Sequence, residues 1–390
     1  MQWSVPMDTT TIRVSEPREM LAYLPHQLGF RPSHSAVAVS LRPPRGRIGL
    51  VARVDLPDLA DVERGPQIAR GLVSHLGADR ASGAVLVLYT RDDPRDPGPT
   101  RTLARAAAEH FREAALTSLG DVVVWVVTSQ GYLALDCDDL ECCPRGGRPL
   151  RDLETTAVGA HMVLAGSSVA DCREDLARIR TAPGDARRSV SRVCVRWHSR
   201  HDQAQADGGD ALRAWREQSM TAWRAAVAAE LVGAAAVPRA DASPLSASVL
   251  GRIEAALADR RVRDGVLVAL VPGTGDLAER SVRDDATAAS PEMSDAVGAI
   301  IDPRCAVEPP AVETAAHVRV LEGVVAHGRR GAQPPALTLL ALLAWWQGDG
   351  ARARLLLERA LVEDPEYTLA QLLDATLAAA VPPGWISRPQ

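Results

Sequence analysis

Two short runs that are apolar at every position decide what the first third of this chain can become. They are Ala84-Val85-Leu86-Val87-Leu88-Tyr89 and Val122 to Val127. A strand with one wet face alternates apolar and polar residues; a strand without alternation must be covered on both faces. Arg101 to Leu119, between the two runs, reads as a helix. Strand, helix, strand in that order implies a parallel crossover within a layered α/β unit. The neighbouring segments fit. Glu16 to Leu24 reads as a helix, with Ser15 as N-cap and Pro17 in its first turn. Ala36 to Leu41 and Ile48 to Val54 read as two strands joined by Pro43-Pro44-Arg45-Gly46. Gln67 to Leu76 reads as a helix, and Tyr132 to Leu135 as a strand beside Val122 to Val127. The expectation is an α/β domain over residues 1–150 with a mixed, partly parallel sheet.

Past Leu150 the strand patterns fade. Leu153 to Leu164, Arg173 to Arg180, Asp210 to Val232, Pro244 to Arg261 and Ala311 to Ala326 read as helices. Leu212, Trp215, Ser219, Trp223, Val227 and Leu231 recur at near-helical spacing, which predicts core tryptophans. Arg91 to Thr100, Thr181 to Arg188, Asp202 to Gly209 and Pro272 to Pro291 read as loops. Residues 151–330 are thus expected to be a helical region with loops, and 331–390 a helical hairpin with a capping helix. In that last segment Ala353, Leu356, Leu357, Ala360 and Leu361 form one apolar stripe, and Arg354 and Glu358 form an i,i+4 pair. Gly348-Asp349-Gly350 makes the turn before it. Asp364-Pro365 is read as N-cap and N1 of a third helix, with Leu369, Leu372, Leu373 and Leu377 as its stripe. The second helix has tetratricopeptide-like spacing in Gly348, Ala353, Leu357, Ala360 and Pro365, whereas Ala341 and Ala344 replace the usual first-helix residues. Such units do no chemistry themselves; they bury faces against neighbours.

Composition excludes more than it names. The 390 residues include no lysine and no asparagine, so all 44 basic residues are arginine. A GC-rich genome accounts for this. With a net charge of −5 the arginines do not imply nucleic acid. Without lysine there is no P-loop lysine, no kinase β3 lysine and no Schiff base. No apolar run is long enough to span a bilayer, and the first residues carry no secretory core, which predicts a cytoplasmic protein.

Four constellations could carry function. Cys137, Cys142 and Cys143 cluster just past a predicted strand. Structural thiols, a metal centre such as zinc, and a redox-labile pair all fit, although the common CxxC spacing is absent. His198 and His201 would share a helix face as metal ligands must, yet the surrounding Trp197 to Asp202 segment reads as a solvated loop. Pro272-Gly273-Thr274-Gly275-Asp276 has glycines but not the GxGxxG spacing, and reads as a plain loop. At the expected strand ends, Arg53 and Arg91 could clamp an anion with Asp55 or Asp92 beside them as base. The opposing reading has those carboxylates capping turns and pairing with the arginines.

The run Leu28-Gly29-Phe30-Arg31-Pro32-Ser33-His34-Ser35 resembles the LGFxPxxS segment of an actinobacterial family known as domain of unknown function 4192. Arg53-Val54-Asp55-Leu56-Pro57 resembles that family's second motif, and Cys137, Cys142-Cys143-Pro144 and Gly147 its cysteine motif. Val262-Arg263-Asp264, Ala344-Trp345, Gly348-Asp349-Gly350 and Asp364-Pro365 look like its later signatures. The pattern departs at His34, where an acidic residue is expected. The resemblance implies a bacterial cytosolic protein and no particular reaction. Two functional expectations follow from the residues. One is a non-enzymatic interaction protein whose C-terminal helices dock a protein partner or a second copy, with Trp345, Trp346, Arg354 and Trp385 as contact residues. The other is an α/β enzyme or sensor holding an anionic small molecule near Arg53, Asp55, Arg91 and Asp92. No cofactor, nucleic acid or membrane contact is expected.

Overall fold

The computed structural model describes residues 16–44, 46–165, 167, 169–234, 245–283, 290–379 and 381–386. The chain divides into two compact units, Met1–Asp175 and Leu176–Gln390.

In the first unit α1 (Pro17–Leu28) leads into strands β1 (Ser35–Arg42) and β2 (Arg47–Asp55). Helices α2 (Leu56–Ala60) and α3 (Gly65–Ala78) precede β3 (Gly83–Tyr89), and α4 (Pro99–Ala115) links it to β4 (Val123–Val127). Then come β5 (Gly131–Ala134), β6 (Arg148–Pro149), α5 (Arg151–Glu154) and α6 (Ala157–Leu164). The described strands form one sheet in the order β2-β1-β3-β4-β5-β6. Only β3 and β4 run parallel, and the other neighbours are antiparallel. The mixed sheet with one parallel crossover matches the sequence reading.

The apolar runs explain the layering. Leu86 and Leu88 of β3 pack with Leu59, Leu72, Leu76 and Phe111 of α2, α3 and α4. Val85, Val87 and Tyr89 face the other way, onto Met20, Leu21 and Leu24 of α1. Period-two alternation thus feeds two cores from one strand. Helix α4 stops four residues before Leu119, and the segment read as one helix over Leu153 to Leu164 is split. Thr156 breaks it: its side chain accepts from Gly159 N and caps α6. The proposed cap of α1, Ser15, lies outside the described residues.

The second unit is helical: α7 (Gly184–Asp207), α8 (Gly209–Ala234), α9 (Ala247–Ala256), α10 (Arg260–Ala269) and α11 (Leu277–Arg283) come first. They are followed by α12 (Pro291–Ile301), α13 (Ala311–His327), α14 (Pro334–Trp346), α15 (Gly350–Glu363) and α16 (Thr368–Ala378). One apolar cluster runs from Val190 through Trp223 and Val324 to Leu357, so α14 and α15 share their core with the earlier helices. No helix among the described residues is long and apolar enough to cross a membrane.

Several expectations need correction. Trp197 to Asp202 is not a loop: it lies inside α7, and so do most of the predicted loops at Thr181 to Arg188 and Asp202 to Gly209. Val190, Cys194, Trp197 and Ala204 are the buried stripe that makes that polar segment a helix. Trp197 stacks on Trp215 with ring centroids 5.8 Å apart, and His201 meets the Trp215 ring at 4.7 Å. The helix read over Pro244 to Arg261 breaks at Asp259, whose carboxylate caps α10 through Arg261 N and Val262 N; Pro244 is outside the described residues. Arg173 to Arg180 contains only a 3₁₀ turn, Arg173–Ala177. The loop read over Pro272 to Pro291 contains α11. The third C-terminal helix starts at Thr368, and Asp364 instead ends α15. Its stripe is rotated as well: Ala370 and Leu373 are buried, while Leu372 is 62% exposed.

His317 of α13 is buried and stacks on Trp223, with centroids 5.6 Å apart and planes 8° from parallel. Burial, reinforced by the Arg224 charge, lowers its pKa from 6.5 to about 4. Between those values the unfolded chain holds the extra proton, so stability rises with pH. The contribution is complete above about pH 6.5 and disappears as pH falls toward about 4, a loss of about 3 kcal/mol. His317→Phe keeps an aromatic stack without the titration. Urea unfolding should show the parent losing about 3 kcal/mol more than this variant between about pH 7.5 and about pH 4; equal losses would show that His317 does not govern the acid response.

Candidate functional site

The antiparallel register of β1 on β3 sets Ser35 opposite Tyr89. The segment just before β1 therefore lies over the carboxyl end of β3, and β4 ends beside it in parallel register, Tyr89 against Val127. A cleft of about 910 Å³ opens there, in the size range of small-molecule sites. Its base is Tyr89, Thr90, Val127 and Thr128; its walls come from α1, the Arg31–His34 segment and the α5–α6 region. Leu21, Ala22, Pro25, Leu153 and Val163 make most of the lining apolar.

The polar groups converge on one side of the charge scale. His26, Arg31, His34 and Arg91 line the cleft, and Glu154 is the acid among the described lining residues. Neither Arg31 nor Arg91 has a carboxylate partner among the described residues. His26 is half-buried, and burial together with the Arg31 charge lowers its pKa, so it is neutral at pH 7. Its Nδ1 lies 3.0 Å from Ser167 Oγ. That contact could serve a nucleophile and base, but no described carboxylate orients the other ring nitrogen. His34 sits at φ +46°, a strained region for a residue with a Cβ, and its carbonyl is held by Leu56 N at 2.9 Å.

Tyr89 is the least expected member. It is 6% exposed and its hydroxyl has no hydrogen-bond partner among the described residues. Burial raises its pKa well above the usual phenol range, so it stays a neutral donor. A buried hydroxyl with nothing to bond costs free energy.

The sequence-derived anion set is only partly assembled. Arg91 lines the cleft. Arg53 is consumed: its Nε donates to Ser35 Oγ at 2.9 Å and its NH2 to Asp55 at 2.6 Å. The Arg53–Asp55 pair follows the pairing half of the opposing reading, while Asp55 makes no side-chain cap on α2. Asp92 is exposed, and its backbone carbonyl accepts from Thr90 Oγ1 at 2.9 Å. His26, Arg31, His34 and Tyr89 were not singled out from the sequence. Their signal was the dense Pro25-His26 and Arg31-Pro32-Ser33-His34 run; the missing information was the β1–β3 register that carries it to the ends of β3 and β4.

The remaining sequence candidates lie elsewhere. The thiols of Cys137, Cys142 and Cys143 lie within 4.8 Å of one another and could hold a metal ion. Hydrogen bonds from neighbouring thiols, with the Arg148 charge, lower the Cys142 pKa, while burial raises that of Cys143. In the second unit Trp345 and Trp346 are buried, and their indole N–H groups donate to Val381 O and Val307 O, each at 3.0 Å. Trp385 is half-buried and donates to Trp346 O at 2.7 Å. All three indoles are therefore committed within the chain. Arg354 pairs with Glu358 and Asp374, each at 3.3 Å. His201 faces Asp259 at 3.4 Å, which is a packing role.

The family described as a domain of unknown function (DUF4192) matches this chain over residues 17–384. The chain belongs to that family. No curated protein and no solved structure matches it. The DUF4192 match spans both compact units, so the cleft, the cysteine loop and the C-terminal helices all fall within it.

The orphan hydroxyl makes a simple prediction for this DUF4192 chain. Tyr89→Phe removes a group without a partner among the described residues, so stability should be unchanged or rise by about 1 kcal/mol. A loss of that size on thermal unfolding would mean that the hydroxyl has a partner in the free protein.

Proposed function

We propose that the first unit binds a small molecule bearing an anionic group, in the cleft at the carboxyl ends of β3 and β4. The observation that carries this reading is the presence of Arg31 and Arg91 in the lining of one cleft, neither with a carboxylate partner among the described residues. Arg31 and Arg91, unpaired among the described residues, supply the charge for the anionic end, and guanidinium suits carboxylate or phosphate. The apolar wall of Leu21, Pro25, Leu153 and Val163 suits a nonpolar body. The location agrees with the general preference of open α/β sheets for ligands outside the carboxyl ends of their strands. The residues support recognition more strongly than turnover, because the His26–Ser167 contact has no orienting carboxylate among the described residues.

The test is thermal unfolding of the full chain against phosphate- and carboxylate-bearing metabolites. A true ligand at about a hundredfold excess over its Kd adds about 2.7 kcal/mol. Arg91→Met and Arg31→Met should each weaken that ligand about tenfold or more, with both variants folded. Stabilisation that survives both substitutions unchanged would place the binding elsewhere and sink the reading.

A further inference from the structure

On the other face of the sheet, away from α1, the loop between β5 and β6 gathers a second set of groups. Cys143 is fully buried and packs in the core under α2, α3 and α4. Cys142 Sγ lies 3.9 Å from Cys143 Sγ, and Cys137 Sγ completes a triangle within 4.8 Å. Zinc–sulfur bonds of about 2.3 Å in a tetrahedral site set sulfurs about 3.8 Å apart. The observed triangle therefore needs little contraction to close on an ion.

The loop is built to hold that triangle. Cys137 N bonds Ala134 O at 3.2 Å and Cys143 N bonds Asp139 O at 2.7 Å, folding the loop back on itself. Two guanidiniums fix the backbone beyond it. Arg148 Nε donates to Cys142 O at 2.6 Å, and Arg95 donates to Cys143 O at 2.8 Å and Pro144 O at 2.7 Å. Arg95 is itself locked by Asp93 at 2.7 Å. Gly147 closes the loop at φ +83°, where a Cβ would sit 2.8 Å from the Tyr132 backbone. The loop that carries the three sulfurs is thus held in place by main-chain contacts as well as by the thiols' contacts with one another.

We propose that Cys137, Cys142 and Cys143 bind one zinc ion, with the fourth position open to a ligand from solvent. Three sulfurs are one too many for a disulfide, and three thiolates match the soft-donor preference of such an ion. Binding transfers the thiol protons to solvent and leaves a centre of net charge −1. Arg148 balances that charge: its NH2 lies 3.3 Å from Cys142 Sγ, the position of an outer hydrogen bond to a metal-bound thiolate. Cys137 and Cys142 are partly exposed, so the open position faces water.

The experiment uses the full chain purified under reductant without chelator. Elemental analysis should find one zinc per chain, removable by chelator. Replacement by cobalt(II) should give sulfur-to-cobalt charge-transfer absorption. Replacing the wholly buried Cys143 endangers the fold, so the variants are Cys137→Ser and Cys142→Ser, with Cys172→Ser as a control outside the cluster. The first two should lose the charge-transfer band while keeping the parent's circular dichroism, and the control should retain it. Arg148→Met should weaken zinc about 10- to 100-fold, the usual effect of removing an outer partner. A folded parent that takes up neither zinc nor cobalt overturns the proposal. So does a charge-transfer band unchanged in Cys137→Ser and Cys142→Ser.

Discussion

Strand β3 is where the first unit's constraints meet. Leu86 and Leu88 point to one side and Val85, Val87 and Tyr89 to the other, and none of them retains more than a trace of solvent. A strand of that kind cannot lie at an edge, so it sits in the middle of the sheet with helices on both faces. Its last residue then has to emerge at the end of the sheet. That residue is a tyrosine, whose ring fits the apolar face and forms part of the base of the cleft. The position of the candidate site is thus a by-product of how β3 must be buried.

The second unit solves a different problem. Tryptophan is the commonest aromatic of the chain, and most indoles of this unit find an acceptor, the buried Trp223 N–H being without one among the described residues. Trp197 donates to Ser219, Trp215 donates to the Trp197 carbonyl, and Trp345, Trp346 and Trp385 donate to backbone carbonyls. A buried indole N–H without an acceptor is costly, so these bonds fix which helix ends must approach which rings. Close contacts do the rest. A Cβ on Gly251 of α9 would sit 2.6 Å from the Val190 carbonyl of α7, a spacing that only glycine permits.

What the sequence disclosed divides along the same physical line. Runs apolar at every position, such as Ala84 to Tyr89, announce a strand because no long-range information is needed to read them. Helix α7 is mostly arginine, aspartate, glutamine and serine on its surface, and its buried stripe, although at helical spacing, is thin: Val190, Cys194, Trp197 and Ala204. Its helical state is enforced by Trp215 and α9, which are distant in sequence, so Trp197 to Asp202 reads locally as a loop. The site follows the same rule. Arg91 was legible because strand ends are where ligands gather; Arg31, His34 and Tyr89 required the β1–β3 register. Arg53 and Asp55 were legible as a pair, but their separation of two residues on one strand lets them satisfy each other. The cysteine triangle was visible as spacing, while Arg95 and Arg148, which position it, come from outside that spacing. Trp345 and Trp346 read as partner contacts only so long as the carbonyls of Val381 and Val307 are not known to reach them.

Gly147 carries a consequence for how the first unit is strung together. It pins the end of the cysteine loop against Tyr132, and β6 begins at the next residue. Leu150 and Leu153, directly after β6, belong to the cleft wall. The chain has no slack between the sulfur triangle and that wall: one short edge strand anchors both. Two pockets on opposite faces of a sheet would ordinarily be free to drift apart in evolution. Here they share a tether, so the geometry of either one is inherited by the other.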